Sequence, residues 1–138
     1  MDRPGLGAAG FTDKGLVRLI DALTLVFVNE QEAALYSGTN SVEAALPFWR
    51  QRRPIVVMKL GAAGSRTLGS GGEYAAPAPR VRSIDTTGAG DAFNGGFLVS
   101  WMHSMPLRQC LVAGNRVGAT STTKAGGIDA LPKRRVRR

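Results

Sequence analysis

Asp85-Thr86-Thr87-Gly88-Ala89-Gly90-Asp91-Ala92-Phe93 is the stretch from which the rest of this chain can be read. Two glycines and an alanine stand directly before a carboxylate, and an apolar helical pattern begins at once. Small residues let backbone N–H groups approach a ligand closely, and a helix start adds partial positive charge. Asp91 is therefore well placed at a helix N-terminus, beside whatever anion the loop holds. A loop that binds an anion and presents a carboxylate suits phosphoryl transfer to a hydroxyl. The carboxylate is then the base, and the loop steadies the phosphate. The plainer reading of Asp91 is an N-terminal helix cap.

Downstream of this loop, Phe93, Phe97, Trp101 and Met105 recur every four residues, a stripe expected to face a core. Gly95 and Gly96 inside it predict close packing, because each costs about 1 kcal/mol against Ala in a helix. A second helix is expected from Pro106, with Leu107, Cys110, Leu111, Gly114, Val117, Gly118 and Ser121 as its small, apolar face. Upstream, Lys14 to Ala22 reads as a helix capped by Thr12 or Asp13, with Leu16, Leu19, Ile20 and Leu23 on one face. Leu23 to Val28 and Ile55 to Leu60 read as buried strands. Glu30 to Tyr36 reads as a helix stopped by Ser37-Gly38, and Val42 to Gln51 as another that Pro47 distorts. Ser65 to Leu68 and Glu73 to Ala76 suggest a β-hairpin. Alternating strands and amphipathic helices predict an α/β fold with a largely parallel sheet.

A length of 138 residues suits one domain and one core, and 43% hydrophobic residues is ordinary globular usage, which argues against disorder throughout. Five positive charges of the net +8 lie in the last six residues, Lys133-Arg134-Arg135-Val136-Arg137-Arg138, so the basic character is mostly a tail. That tail is expected to be solvated and disordered. It has no aromatic to stack on a base, so nucleic acid is not an expected partner. The single Cys110 excludes an internal disulfide. With no signal-peptide pattern at Met1-Asp2-Arg3-Pro4, it favours a cytoplasmic location. No apolar run approaches the roughly 18 residues of a membrane span.

Several familiar sites are absent. Gly5-Leu6-Gly7-Ala8-Ala9-Gly10 is formally G-x-G-x-x-G, but a dinucleotide fingerprint needs a preceding strand, and only four residues precede Gly5. No G-x-x-x-x-G-K-[ST] and no G-x-S-x-G occurs. No His/Cys cluster has metal spacing, and His103, the only histidine, falls on the solvent side of its helix pattern.

The opening loop, extended through Asn94-Gly95-Gly96-Phe97, resembles the second signature of the PfkB (ribokinase-like) sugar kinases. Other stretches resemble that family in the same order. Val28-Asn29-Glu30-Gln31-Glu32-Ala33 is similar to its N-x-x-E segment after a strand. Val56-Val57-Met58-Lys59-Leu60-Gly61-Ala62-Ala63-Gly64 is similar to its strand and glycine turn over the nucleotide phosphates. Ala113-Gly114-Asn115 and Lys124-Ala125-Gly126-Gly127 resemble its closing helix and the loop beyond. Together these cover most of residues 15 to 132.

The resemblance implies the C-terminal half of a three-layer α/β/α sheet over residues 1–132, with the lid absent and residues 133–138 as the tail. It implies ATP-dependent phosphorylation of a sugar or sugar-acid hydroxyl, with Asp91 as base and Gly88, Ala89 and Gly90 as the anion hole. Asn29, Lys59, Gly61, Gly64 and Asn115 would bind ATP, and Glu32 would organise Mg2+ through water. Asp85 and Thr87, with Ser121, Lys124 and Gly126, would hold a monovalent cation, K+ being the candidate. A homodimer of the full-length protein is compatible with it. Plainer readings stand beside these: a turn former at Asp85, a strand terminator at Asn29, a solvated residue at Glu32, a helix-surface residue at Asn115. Two departures matter. Lys59 stands where many members carry Thr or Ser, and resembles the lysine of sugar-acid kinases such as 2-keto-3-deoxygluconate kinases. Ala130 stands where ribokinase offers a hydroxyl to the cation. Members run to about twice this length, so the expectation is a truncated fragment. Its alternative is a non-catalytic nucleotide-binding or interaction module.

Overall fold

The computed structural model describes residues 13–81, 86 and 88–123. The elements are α1 (Lys14–Asp21), β1 (Leu25–Asn29), α2 (Glu30–Ser37), α3 (Val42–Arg50), β2 (Ile55–Lys59), a 3-10 turn (Gly61–Ala63), β3 (Ser65–Gly69), β4 (Ala75–Ala76), α4 (Ala89–Met102) and α5 (Leu107–Ser121). The strands form one sheet in the order β1-β2-β3-β4. The chain divides into two compact units. The first runs to Gly61 and takes in Ser65–Ala75. The second comprises Ala62–Gly64 and the chain from Ala76 onward.

In the first unit, Asp13 starts α1 by accepting from the amides of Gly15 at 2.7 Å and Leu16 at 3.1 Å. Ile20 is buried and Leu16 packs beside it. Leu19 and Leu23 depart from expectation, being 63% and 44% exposed. The helix ends at Asp21, so Leu23 lies beyond it, and Leu19 sits on the neighbouring stripe to Leu16 and Ile20. β1 and β2 pair in parallel from Leu25↔Ile55 to Asn29↔Lys59. β3 runs antiparallel to β2, so the described sheet is mixed rather than largely parallel. The Gly61–Gly64 connection is too short for the crossover a parallel partner requires.

Val28, Val56, Met58 and Leu68 from the sheet pack with Ile20, Ala33, Ala45 and Trp49 to form the core of this unit. The buried Trp49 indole donates to the Ala33 carbonyl at 2.9 Å, fixing α3 against α2. Gly38 ends α2 in the left-handed region at φ 71°. Pro47 does not break α3. The intrahelical bond that it forgoes is to the carbonyl of Glu43, an exposed first-turn residue that water can satisfy.

The second unit is built on the antiparallel pair α4 and α5. Phe93 and Phe97 are buried, with ring centroids 6.3 Å apart. Trp101 is half-buried, and Met105 is exposed beyond the helix end. A Cβ on Gly96 would lie 2.9 Å from Val117 Cγ2 and 3.0 Å from the Ala113 carbonyl, so close packing is met there. A Cβ on Gly95 would meet nothing within 4 Å, so the packing expected of it is not. His103 is exposed, as expected, with Nδ1 2.7 Å from the Val99 carbonyl.

Candidate functional site

Two candidates of the first unit meet at the ends of neighbouring strands. Asn29 closes β1 and Lys59 closes β2, and the parallel register pairs them directly. Ligands of open α/β sheets bind outside the carboxyl ends of such strands. The Lys59 ammonium lies 6.0 Å from the Phe27 ring centroid. Asn29 and Glu32 form a reciprocal capping box at the start of α2. Asn29 Oδ1 accepts from the Glu32 amide at 2.8 Å, and Glu32 Oε1 accepts from the Asn29 amide at 3.0 Å. Asn29 is exposed and Glu32 half-buried. One carboxylate oxygen of Glu32 is thus engaged in holding the helix start.

Gly61 and Gly64 bracket the turn that follows. Both have positive φ, 58° and 96°. A side chain on Gly61 would enter open space, so its requirement is conformational. Gly64 is also a close-packing position: a Cβ there would occupy the place of the Ala76 carbonyl oxygen.

The N-terminus of α4 is shaped by Gly88, whose φ of 74° brings the chain into the helix without a side-chain cap. The Ala89 amide donates to the Thr86 carbonyl at 3.1 Å, and the helical ladder begins with Ala92 donating to Gly88 at 2.9 Å. Asp91 is exposed in the first turn, where the helix dipole favours a carboxylate. Of the proposed anion-hole residues, Ala89 therefore has its N–H engaged with the loop itself. An exposed carboxylate in this setting can accept a proton from a hydroxyl brought to it.

Asn115 is not a helix-surface residue. It is 6% exposed, and its Nδ2 donates to the carbonyls of Ala76 at 3.0 Å and Pro77 at 3.2 Å. Nothing in the sequence signals those partners, because they are backbone groups. Gly114 and Gly118, one turn apart around Asn115, receive the α4 N-terminus. Cβ atoms there would lie 2.8 Å from the Phe93 ring and 3.2 Å from the Ala89 carbonyl. Ser121 ends α5, buried, with Oγ donating to the Gly118 carbonyl at 2.7 Å. Asp85, Thr87, Lys124 and Gly126 lie outside the described residues, as do Gly5 to Gly10 and residues 133–138. Among the described residues, no group of three or more His, Cys, Asp or Glu could hold a metal ion directly, and no helix is long and apolar enough to cross a membrane.

Comparison with known proteins gives a consistent result. A family model described as pfkB family carbohydrate kinase matches residues 4–134. Aminoimidazole riboside kinase of Salmonella typhimurium is 42% identical over 82 residues, covering 55% of this chain and 25% of that protein. Fructokinase-1 of Zea mays is 32% identical over 126 residues, covering 85% of this chain and 39% of that protein. The crystal structure of fructokinase from Vibrio cholerae O395, in a form with fructose, ADP and calcium ion bound, superimposes with a TM-score of 0.73 at 33% identity. It covers 83% of this chain and 40% of that one. The chain thus spans about two fifths or less of the length of these relatives.

Proposed function

This chain belongs to the pfkB family of carbohydrate kinases and shares their ribokinase-like α/β fold, and on that premise we propose that it serves ATP-dependent phosphorylation of a sugar or sugar-acid hydroxyl. The observation that carries the reading is the start of α4. There a left-handed glycine leads into a helix with no side-chain cap, and a carboxylate, Asp91, stands exposed in its first turn.

Asp91 takes the proton from the attacking hydroxyl; with the Ala89 amide held by the Thr86 carbonyl, the amides of Gly88 and Gly90 are the ones left to stabilise charge on the transferring phosphoryl group. Asn29 and Lys59, paired at the strand ends, and the Gly61–Gly64 turn serve the nucleotide phosphates. Lys59 adds a cationic group there, suited to phosphate or to an acidic sugar. Glu32 is the described carboxylate suited to Mg2+. With one oxygen in the capping box and no acidic cluster around it among the described residues, it fits a cation held through water and phosphates rather than a protein cage. Bound Mg2+ would neutralise phosphate charge. Ser121, with Asp85, Thr87, Lys124 and Gly126, remains the candidate monovalent-cation set. The relatives' names point to fructose, ribose or a riboside as the class of acceptor.

Calorimetry with ATP, with and without sugar, alongside an ADP-release assay tests the reading. The expected result is nucleotide binding by the wild-type chain and loss of any sugar-dependent ADP release in Asp91→Asn. Absence of ATP binding would sink it. A second reading is a nucleotide-binding module without turnover, which the strand-end pair Asn29 and Lys59 and the Gly61–Gly64 turn would serve without a reacting group. Binding without sugar-dependent ADP release distinguishes it.

A further inference from the structure

Within two turns, α5 reaches the start of α4 and the Ala76–Pro77 backbone that packs on Gly64. On one side, Gly114 seats the Phe93 ring and Gly118 seats the backbone of Ala89. Both belong to the first two turns of α4, which also carry Asp91. On the other side, Asn115 reaches back 38 to 39 residues to the carbonyls of Ala76 and Pro77. The Ala76 carbonyl in turn packs on Gly64 so closely that no Cβ could stand there.

The Asn115 amide nitrogen donates to both carbonyls, and this fixes its orientation, since a flipped amide would oppose its own oxygen to them. The donors that an adenine ring would need are committed to backbone. We propose that Asn115 is a positioning residue: it holds the Gly64 turn in register with the first turn of α4, and so governs affinity for the phosphates of a nucleotide rather than recognition of its base. The inference rests on the phosphotransfer reading above.

The test compares ATP, GTP and inorganic tripolyphosphate, each with Mg2+, by calorimetry on the full 138-residue chain. Asn115→Asp is isosteric but lacks both donors, and the expected result is a loss of about tenfold in affinity for all three ligands. Asn115→Ala should show the same loss. A loss confined to ATP would make Asn115 a base contact and overturn the proposal, as would unchanged affinity for tripolyphosphate. Because either substitution could disturb folding, amide NMR of Asn115→Ala supplies a second readout. The Gly64 and Ala89 resonances should shift while that of Gly38, in the other unit, stays in place. An unmoved Gly64 resonance overturns the proposal whatever the ligands do. If the wild-type chain binds none of the three ligands, the phosphotransfer reading fails, and the Gly64 resonance alone decides the positioning role.

Discussion

Asn29 and Lys59 lie thirty residues apart in sequence and are direct register partners at the carboxyl ends of two parallel strands. Neither needs the other to complete its strand, so their meeting is a property of the sheet. If Lys59 faces nucleotide phosphate, Lys59→Met should weaken ATP binding by about tenfold, with the unfolding free energy lowered by about 1 kcal/mol at most through loss of the ammonium over the Phe27 ring. Titration calorimetry and urea unfolding separate the two effects. Unchanged ATP affinity would remove Lys59 from the site.

The capping box makes a separate prediction. Asn29→Ala and Glu32→Ala should each destabilise the chain by about 1 kcal/mol, while Asn29→Asp, which keeps the cap acceptor, should cost less. A double-mutant cycle should show coupling, because the two hydrogen bonds are reciprocal. Additive losses would mean that the box is not formed in solution.

Asp91→Asn should abolish sugar-dependent turnover wherever turnover is measurable, by a factor of about 10²–10⁴ for loss of a general base. It should leave the melting temperature close to wild type, because Asp91 is exposed and its carboxylate caps nothing. A large drop in melting temperature with normal turnover would reverse the assignment and make Asp91 a structural residue.

Neighbouring glycines of α4 should respond in opposite directions. Gly95→Ala adds a methyl to open space in a helix interior and should stabilise by about 1 kcal/mol. Gly96→Ala drives a methyl against Val117 and the Ala113 carbonyl and should destabilise by about 1–3 kcal/mol. Thermal unfolding of the two variants checks this directly, and equal shifts would contradict the described α4–α5 packing.

Burial pushes the Cys110 thiol above its ordinary 9.0. The folded chain should react slowly with a thiol reagent at pH 8 and rapidly once unfolded. Because the folded value is raised, the associated stability is full below about pH 9 and is lost as pH rises through the folded value. Fast reaction in the native state would show that α5 opens.

Short-range chemistry was legible along the chain. The α4 start behind Gly88, the Asp13 cap, the Gly38 stop and the position of α5 after Pro106 all rest on contacts within a few residues, which sequence order supplies. The exposure of Leu19 and the antiparallel run of β3 were not legible. One depends on which stripe of a short helix faces the core, and the other on how tightly a turn closes. The difference between Gly95 and Gly96 was hidden for the same reason: adjacent residues of identical type point about 100° apart, and only the neighbouring helix tells them apart.

The sequence by itself determined the family, most of the element types and the candidates proposed for phosphoryl chemistry, because those follow from residue type and local spacing. Tertiary structure decided that Lys59 stands beside Asn29, and that Asn115 faces the carbonyls of Ala76 and Pro77 rather than solvent. Such pairings depend on sheet register and helix packing, and a backbone carbonyl carries no residue-specific mark by which a sequence could announce it.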